Sequence, residues 1–443
     1  MTANNLSIGG PRPSGLVQRQ STLFVQTSRE VSGEDPSLNA QLLTQAGFIN
    51  RLMAGVFTYL PLGNRVLSKI EGIIRSEMLS LGASEITMPA MHPKEIWEQT
   101  GRWDTLDILF RLKGQGDRDL ALGPTHEEVI TPLMAGFIHS YKQLPTAAFQ
   151  IQTKFRNEAR AKSGLLRGRE FRMKDLYSFH LDQADLDGYY EKVADAYRRI
   201  FERCGIGHLT YYTAASGGAF SKYSHEFQTI TPHGEDTIYC IPNTKIAINK
   251  EILDDAEAIK EILPAGISVQ DLEEKKAIEV GNIFKLGTRF SEACKLSVSN
   301  ATGGKQTVIM GCYGLGPSRV MGTIVECLSD GKTAPINTMV WPAEVAPYPV
   351  HIVSLARTID EQQSGADQLV NRLASAGVDS LYDDRMEVRA GAKFADSDLF
   401  GIPVRVVVSQ KAAEKGGVEV LIRGNNQSEI MSEDSLFKLI IGR

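Results

Sequence analysis

Residues 155–171 read FRNEARAKSGLLRGREF and set five basic side chains, Arg156, Arg160, Lys162, Arg167 and Arg169, around Glu158 and Glu170. A guanidinium forks onto phosphate oxygens, and a carboxylate beside it accepts from an amino group. Together they can read a nucleotide at its charged end and at its base edge. A surface ion pair between neighbouring strands is the plainer alternative, and the residues alone leave both open. A second stretch, MGCYGLGPSRVMGTIVE, places Gly311, Gly314 and Gly316 ahead of Arg319. Glycines let backbone approach a ligand, and an arginine just inside the following helix meets a phosphate there. The stretch is neither a Walker loop, since no Gly-Lys-Ser/Thr follows, nor a full dinucleotide fingerprint. A third, LGPTHEEVI, offers Thr125, His126, Glu127 and Glu128 after a Gly-Pro turn. Thr125 and Glu127 suit a small cationic amine, while Thr125 and Glu128 have the spacing of a capping box; the two uses can coexist.

These residues need elements to hold them. Leu62, Val66, Ile70, Ile73, Ile74 and Met78 recur at helical spacing, with Gly82 just past the end. ASEITMPAM, closed by Pro89, reads as a strand. Residues 149–156 and 170–180 alternate as two strands joined by a long loop, which puts Arg156 and Glu158 on one strand face. Residues 183–204 read as a helix. Strand, loop, strand units of this kind build an antiparallel sheet, because parallel strands need helical crossovers. The stretch 241–275 turns charged and helix-prone, and 276–331 returns to strand and glycine signals ending in the helical SRVMGTIVECL. Beyond Pro335, VHIVSL, VDSLYDD, VRVVVS and VEVLIRG alternate with helical segments, the mark of a separate α/β domain.

Composition narrows the function. At 42% hydrophobic, 23% charged and 7% aromatic, the 443 residues describe an ordinary globular chain long enough for two or three cores. A net charge of -5 excludes coating nucleic acid by general positive charge, and residues 336–443 hold 11 basic against 15 acidic side chains, so any RNA contact is local. Cys204, Cys240, Cys294, Cys312 and Cys327 form no C-x-x-C pair, so neither a zinc site nor a disulfide framework is expected and a reducing cytosol fits. No apolar run approaches the roughly 20 residues of a membrane span. The first 20 residues read as a loose extension without an amphipathic pattern.

In chain order, Pro89 after a long helix, F-R-x-E with a loop and R-x-R-E-F, and G-L-G-x-x-R opening a helix resemble motifs one, two and three of the class II aminoacyl-tRNA synthetases. Within that class, SGEDPSLNAQLLTQAGFINRLMAGVFTYLPLG, LGPTHEEVI, SYKQLP, FQIQTKFRNEAR, REFRMKDLYSFH, SHEF, KKAIEVGNIFKLGTRFSEA, MGCYGLGPSR and LYDDR with FGIPVRVVV are similar to bacterial-type prolyl-tRNA synthetases. The likeness runs from about residue 20 to the C-terminus. It implies an α+β catalytic domain on an antiparallel sheet over 21–240 and 276–333, after an N-terminal extension over 1–20. A short insertion over 241–275 stands where relatives carry an editing domain, and 336–443 form an α/β anticodon-binding domain.

The same resemblance implies a cytoplasmic homodimer that joins L-proline to tRNA(Pro) through prolyl-adenylate, using ATP with Mg2+ and no protein-bound metal. Arg156 would meet the α-phosphate as proline attacks, and Arg319 the γ-phosphate. Glu158 would sit by the adenine amino group and Phe171 on the base, with Arg167 and Glu170 as further ATP contacts. Thr125 and Glu127 would grip the secondary amine, with Phe179, His225 and Cys312 around the ring. Arg160 and Lys162 would reach the acceptor stem, and Arg385, Arg389 and Lys393 the anticodon. Arg169 has no role by this likeness. A proline pocket rejects alanine by only about 1–3 kcal/mol. With so short an insertion, no editing in cis is expected, and a separate deacylase would clear alanyl-tRNA(Pro).

The chain departs from the family at GGAFSKYSHEF before the histidine, at Arg160-Ala161-Lys162 in the motif-two loop and at Ala390 before the glycine of the anticodon loop. Two alternatives stand beside this reading. One keeps the fold and takes threonine or glycine, although no cysteine and histidine set for the zinc of threonyl enzymes is present. The other is a catalytically silent paralogue that binds tRNA, which would be expected to lose an ATP arginine.

Overall fold

The computed structural model describes residues 15–28, 35–218, 220–329, 338–425 and 427–442. The described chain forms two compact units: 35–44 with 48–329, and 15–28 with 45–47 and 338–442. The first is organised on a nine-stranded sheet. Toward one edge lies the hairpin of Thr146–Phe155 and Glu170–His180, antiparallel from Thr146 opposite Phe179 to Phe155 opposite Glu170. Ile309–Leu315 pairs with the second strand and Glu273–Gly287 with Ile309–Leu315, both antiparallel. The sheet continues through Asp236–Cys240, Ile246–Asn249, Thr210–Ser216 and Tyr223–Ile230, and Ser84–Glu85 adds the far edge. Two short pairings are parallel: Thr210–Ser216 with Ile246–Asn249, and Ser84–Glu85 with Thr146–Phe155.

Helices cover the sheet with faces that their apolar spacing dictates. Gln183–Arg203 starts on the Asp182 side chain, which accepts from the Asp185 amide at 2.9 Å, and buries Leu186, Tyr190, Val193, Ala194, Tyr197, Ile200 and Phe201. Pro61–Ser80 opens with a proline, whose missing N–H costs nothing in the first turn, and fully buries Val66, Ile70, Ile74 and Met78. Truncating Ile70 to alanine would cost about 2–5 kcal/mol. Pro317–Leu328 starts at the end of the glycine-rich strand and carries Arg319 in its first turn. Among the described residues, no helix is long and apolar enough to cross a membrane.

The second unit holds a six-stranded sheet. Val350–Ser354 lies centrally, parallel to both Ser380–Asp383 and Val404–Val408, while Val418–Ile422 and Glu429–Met431 extend it antiparallel. Helices Ala366–Ser375 and Glu433–Ile441 close its core over Leu369, Leu373, Val406 and Leu436. The expected fold class, an α+β unit on a mainly antiparallel sheet with an α/β C-terminal unit, therefore holds.

Several local expectations change. Residues 1–14 of the expected extension lie outside the described residues, but Val17–Arg19 is a strand paired in parallel with Ser380–Asp383. Arg19 donates to Asp384 at 3.1 Å and lies over the Tyr382 ring at 5.0 Å, a partnership 365 residues apart that no local pattern signals. Residues 241–275, expected as a short insertion or connector, also contribute to the main sheet. Ile246–Asn249 is a member of the main sheet, and the helix Ala256–Ile262, capped by Asp255, seats Ala258 on Ala214, Ile248 and Ile252. ASEITMPAM yields two short strands, Ser84–Glu85 and Met91–Pro93, because Pro89 has no N–H for a ladder. The capping box also fails: the helix Glu127–Ala135 begins after His126, and Glu128 is occupied by Arg102 and Thr100.

Candidate nucleotide and amino-acid cleft

The strand Thr146–Phe155 stops one residue before Arg156, so Arg156 and Glu158 leave the sheet and turn into the loop, contrary to the expected shared strand face. The Arg156 amide still donates to the Arg169 carbonyl at 2.8 Å, which fixes where the loop departs. Here Arg169 finds its place. Its Nε donates to the Glu158 carbonyl at 2.9 Å and its Nη1 to the Ala54 carbonyl at 3.2 Å, tying the loop to the hairpin 49–59. Gly55 at that hairpin has φ +73, and a Cβ there would stand 2.5 Å from the Ala161 Cβ, so only glycine allows the approach.

The loop forms one wall of a cleft of about 270 Å³, whose other walls are Glu273–Gly287, Ile309–Leu315 and the start of Pro317–Leu328. Two arginines converge on it. Arg319 donates from Nε to the Leu166 carbonyl at 2.8 Å and from Nη1 to Glu279, at 2.9 Å to the carbonyl and 3.0 Å to the carboxylate. Arg156 lies over the Phe171 ring, 5.2 Å from Cζ to the ring centre, and its buried Nε has no hydrogen-bond partner. Burial first, and the Arg319 charge second, push the Arg156 guanidinium below its ordinary pKa. Arg156, with an unpaired buried Nε beside a second cation, forms a site that an anion completes, while Arg319 is already paired with Glu279. Gly314 lines the same cleft with open space where a Cβ would stand. Glu158 lines it too, paired with Arg167 at 3.0 Å.

At the other end, Thr125 Oγ1 donates to Glu127 Oε2 at 2.6 Å, and Cys312 Sγ donates to Glu127 Oε1 at 3.2 Å. Thr125 and Cys312 line the cleft, with Glu127 fully buried behind them. Burial, then the Glu127 charge, push the Cys312 thiol well above its ordinary range, so it stays protonated and donates. Below lies a buried polar cluster. Lys154 Nζ donates to His126 Nδ1 at 2.8 Å and pairs with Asp175 at 2.9 Å, while His126 Nε2 donates to the Pro89 carbonyl at 2.9 Å. Burial and the Lys154 charge push His126 down to about 3, which keeps the ring neutral in this arrangement.

Thr125, Arg156, Glu158, Arg167, Phe171, Cys312 and Arg319 are thus brought together with Glu127 buried directly behind Thr125 and Cys312, and the remaining expected residues are not. Glu170 is exposed and does not line the cleft. Phe179 shares its strand face with Phe171, Met173 and Asp175 of the lining, but it lies further along the strand, fully buried in the core with Tyr177, Met310 and Cys312. His225 stacks on Tyr212 at 4.4 Å and bonds the Tyr190 hydroxyl at 2.9 Å, away from the cleft lining. Arg160 and Lys162 are exposed in the loop. Among the anticodon candidates only Arg389 is exposed. Arg385 is bound to Asp383 and Asp396, both at 2.7 Å, and Lys393 is buried inside the helix Ala390–Phe400, donating to the Ser354 carbonyl at 2.7 Å.

Sequence reasoning missed Glu279, Asn282, Phe220 and Asp175 in the lining, and Arg102 behind it. A signal existed for Glu279, the lone acid of the apolar run AIEVGNIF. Arg102, in TGRW, carried none. Among the described residues, no group of three or more His, Cys, Asp and Glu side chains is set to hold a metal ion.

Comparison with known proteins agrees with this architecture. The tRNA synthetase class II core domain (G, H, P, S and T) matches residues 110–327, and the anticodon binding domain matches 349–443. A curated proline–tRNA ligase of Geobacillus sp. (strain WCH70) is 36% identical over 568 residues, spanning 95% of this chain and 99% of its own. One of Pelotomaculum thermopropionicum is 34% identical over 94% of this chain and 98% of its own. Among solved structures, the Giardia lamblia prolyl-tRNA synthetase in complex with prolyl-adenylate superposes with a TM-score of 0.73 at 19% identity, covering 90% of this chain and 75% of that one. The Cryptosporidium parvum enzyme complexed with halofuginone and AMPPNP gives 0.72 at 18%, covering 91% and 74%. At that identity the likeness is one of fold.

Proposed function

The chain belongs to the proline–tRNA ligase family, and on that premise we propose how its own residues carry out the two steps of an aminoacyl-tRNA ligase. In the first, a proline carboxylate oxygen attacks the α-phosphorus of ATP, forming prolyl-adenylate as pyrophosphate leaves with the electron pair of the broken P–O bond. In the second, a hydroxyl of the tRNA 3′-terminal ribose attacks the prolyl carbonyl and AMP leaves. Neither step needs a protein nucleophile, so catalysis is positioning and charge stabilisation.

Arg156 meets the α-phosphate and the carboxylate that attacks it, and Arg319 holds the terminal phosphate. Phe171 offers a face to the base, and Glu158, held by Arg167, accepts from the adenine amino group. Thr125, backed by Glu127, takes the secondary ammonium, and Cys312 borders the ring. Arg160 and Lys162 reach the acceptor stem, and Arg389 the anticodon, whose bases are read one by one, since the domain lacks a basic surface. Magnesium would be held mainly by the ATP phosphates, where it would offset their charge, with Glu279 of the lining as a carboxylate that could help hold it.

The observation that carries the reading is the convergence of Arg156 and Arg319 on one cleft, with the Thr125–Glu127 pair at its other end. Charging a tRNA(Pro) transcript with labelled proline and ATP tests it, and failure to charge overturns it. Lack of editing in cis is the companion reading. The 568-residue alignment is longer than this 443-residue chain, so the relative carries sequence with no counterpart here, and 241–275 supply short elements that include the strand Ile246–Asn249 and the helix Ala256–Ile262. Rapid hydrolysis of alanyl-tRNA(Pro) by the purified protein would refute it and remove the need for a separate deacylase. A homodimer is the reading suggested by the motif-one resemblance of the helix Pro61–Ser80, and the mass in solution checks it; a cytoplasmic setting is suggested by the cysteine usage and the family likeness.

A further inference from the structure

Arg102, Glu127 and Glu128 are all buried, at 3%, 0% and 1% exposure. One guanidinium between two carboxylates leaves the group one negative charge in excess. The distances say where that charge lies. Arg102 Nη1 stands 2.9 Å and 3.2 Å from the two oxygens of Glu128 but 3.4 Å from Glu127. Thr100 Oγ1 gives Glu128 a second partner at 2.8 Å, and the Arg102 guanidinium is wedged beside the rings of Trp97, Phe220 and Phe290, 5.1–5.6 Å from their centres. Arg102 is thus spent mainly on Glu128, and Glu127 on the two cleft-lining groups, Thr125 and Cys312. The Thr125 hydroxyl donates its hydrogen to Glu127, so its oxygen remains as an acceptor backed by a carboxylate that Arg102 only partly compensates. A secondary ammonium supplies the complement, an N–H for the oxygen and a positive charge for the group.

We propose that Glu128, which does not line the cleft, is a positioning residue that sets proline affinity by holding Arg102 off Glu127. This rests on the reading of the Thr125 end as the proline site. With Glu128 made neutral, Arg102 needs only a small shift to close its 3.4 Å approach to Glu127, and it then competes with the substrate cation for the same charge.

The test is ATP–pyrophosphate exchange with three proteins. In Glu128→Gln the KM for proline should rise about tenfold or more, as expected when a buried charge pairing is redirected, while the KM for ATP stays within about twofold. In Arg102→Met/Glu128→Gln, where the competing cation is gone and the pair is replaced by groups of similar size, the proline KM should return to within about threefold of the parent. A Glu128→Gln protein with unchanged proline KM overturns the proposal. So does a double variant whose proline KM stays raised tenfold, and that arm decides even if the single variant does not fold. A parent protein inactive with proline would instead sink the assignment of the site.

Discussion

Replacing Arg156 by methionine should separate function from stability. Methionine keeps the apolar stem and its place beside Phe171, and removes a guanidinium whose buried Nε has no partner and whose charge is opposed by burial and by Arg319. An orphaned buried donor costs about 1–3 kcal/mol, so its loss should leave the catalytic unit as stable as before, or more stable by about 1 kcal/mol. The reaction loses the group aimed at the charge developing on the α-phosphate, and removal of one such group costs about 10²–10³ in rate. Arg385→Met is the contrast, because Arg385 is bonded to Asp383 and Asp396 within hydrogen-bond distance. Breaking such a half-buried, charge-assisted pair should cost about 1–3 kcal/mol. Thermal melts and ATP–pyrophosphate exchange on both proteins read the two quantities. An Arg156→Met protein that melts as early as Arg385→Met while keeping exchange activity would show Arg156 to be a structural ion-pair residue, and the reasoning would fail.

Four further outcomes are expected. Asn39 bonds the Glu326 carboxylate through its backbone N–H at 2.9 Å and its side chain at 2.7 Å, and accepts from the Leu165 amide at 2.9 Å. Asn39→Ala should therefore cost about 2–4 kcal/mol in urea unfolding, and raise the KM for ATP by loosening the cleft wall. Arg389→Ala should raise the KM for tRNA(Pro) about threefold to tenfold with an unchanged melt, as a lost exposed nucleic-acid contact does. Lys393→Ala should lower the melt instead, through its bonds to Ser354 and Asp383. His92 and His225 are pushed down to about 4, mainly by burial. The unfolded chain takes these protons near the ordinary 6.5 and the folded chain does not, so stability is full above about 6.5 and is lost as the pH falls toward 4. The slope is up to about 1.4 kcal/mol per pH unit for each histidine. Urea midpoints from pH 7.5 to 5 check the sign, and a midpoint that rises on acidification would contradict it.

What the sequence revealed was local chemistry in a fixed order. The hairpin around Arg156 and Glu158, the glycine strand before Arg319 and the helix Pro61–Ser80 all rest on periodicities of two and 3.6 that tertiary contacts do not reverse. Burial is a different matter. Phe179 and Lys393 carry side chains that suit a pocket and an RNA contact, yet both are inside, and only the packing of distant segments decides that. Arg102 is 25 and 26 residues from its carboxylates, and Val17–Arg19 joins a strand near the other end of the chain, so neither pairing leaves a trace in local spacing. The charged surface of 241–275 concealed the sheet strand Ile246–Asn249, because that strand is short and its neighbours face solvent.

The most direct test of the central claim is ATP–pyrophosphate exchange across all twenty amino acids. Proline should drive exchange strongly, with alanine a distant second because a pocket discriminates a smaller side chain by only about 1–3 kcal/mol. Exchange driven by threonine or glycine, or by no amino acid at all, would contradict it.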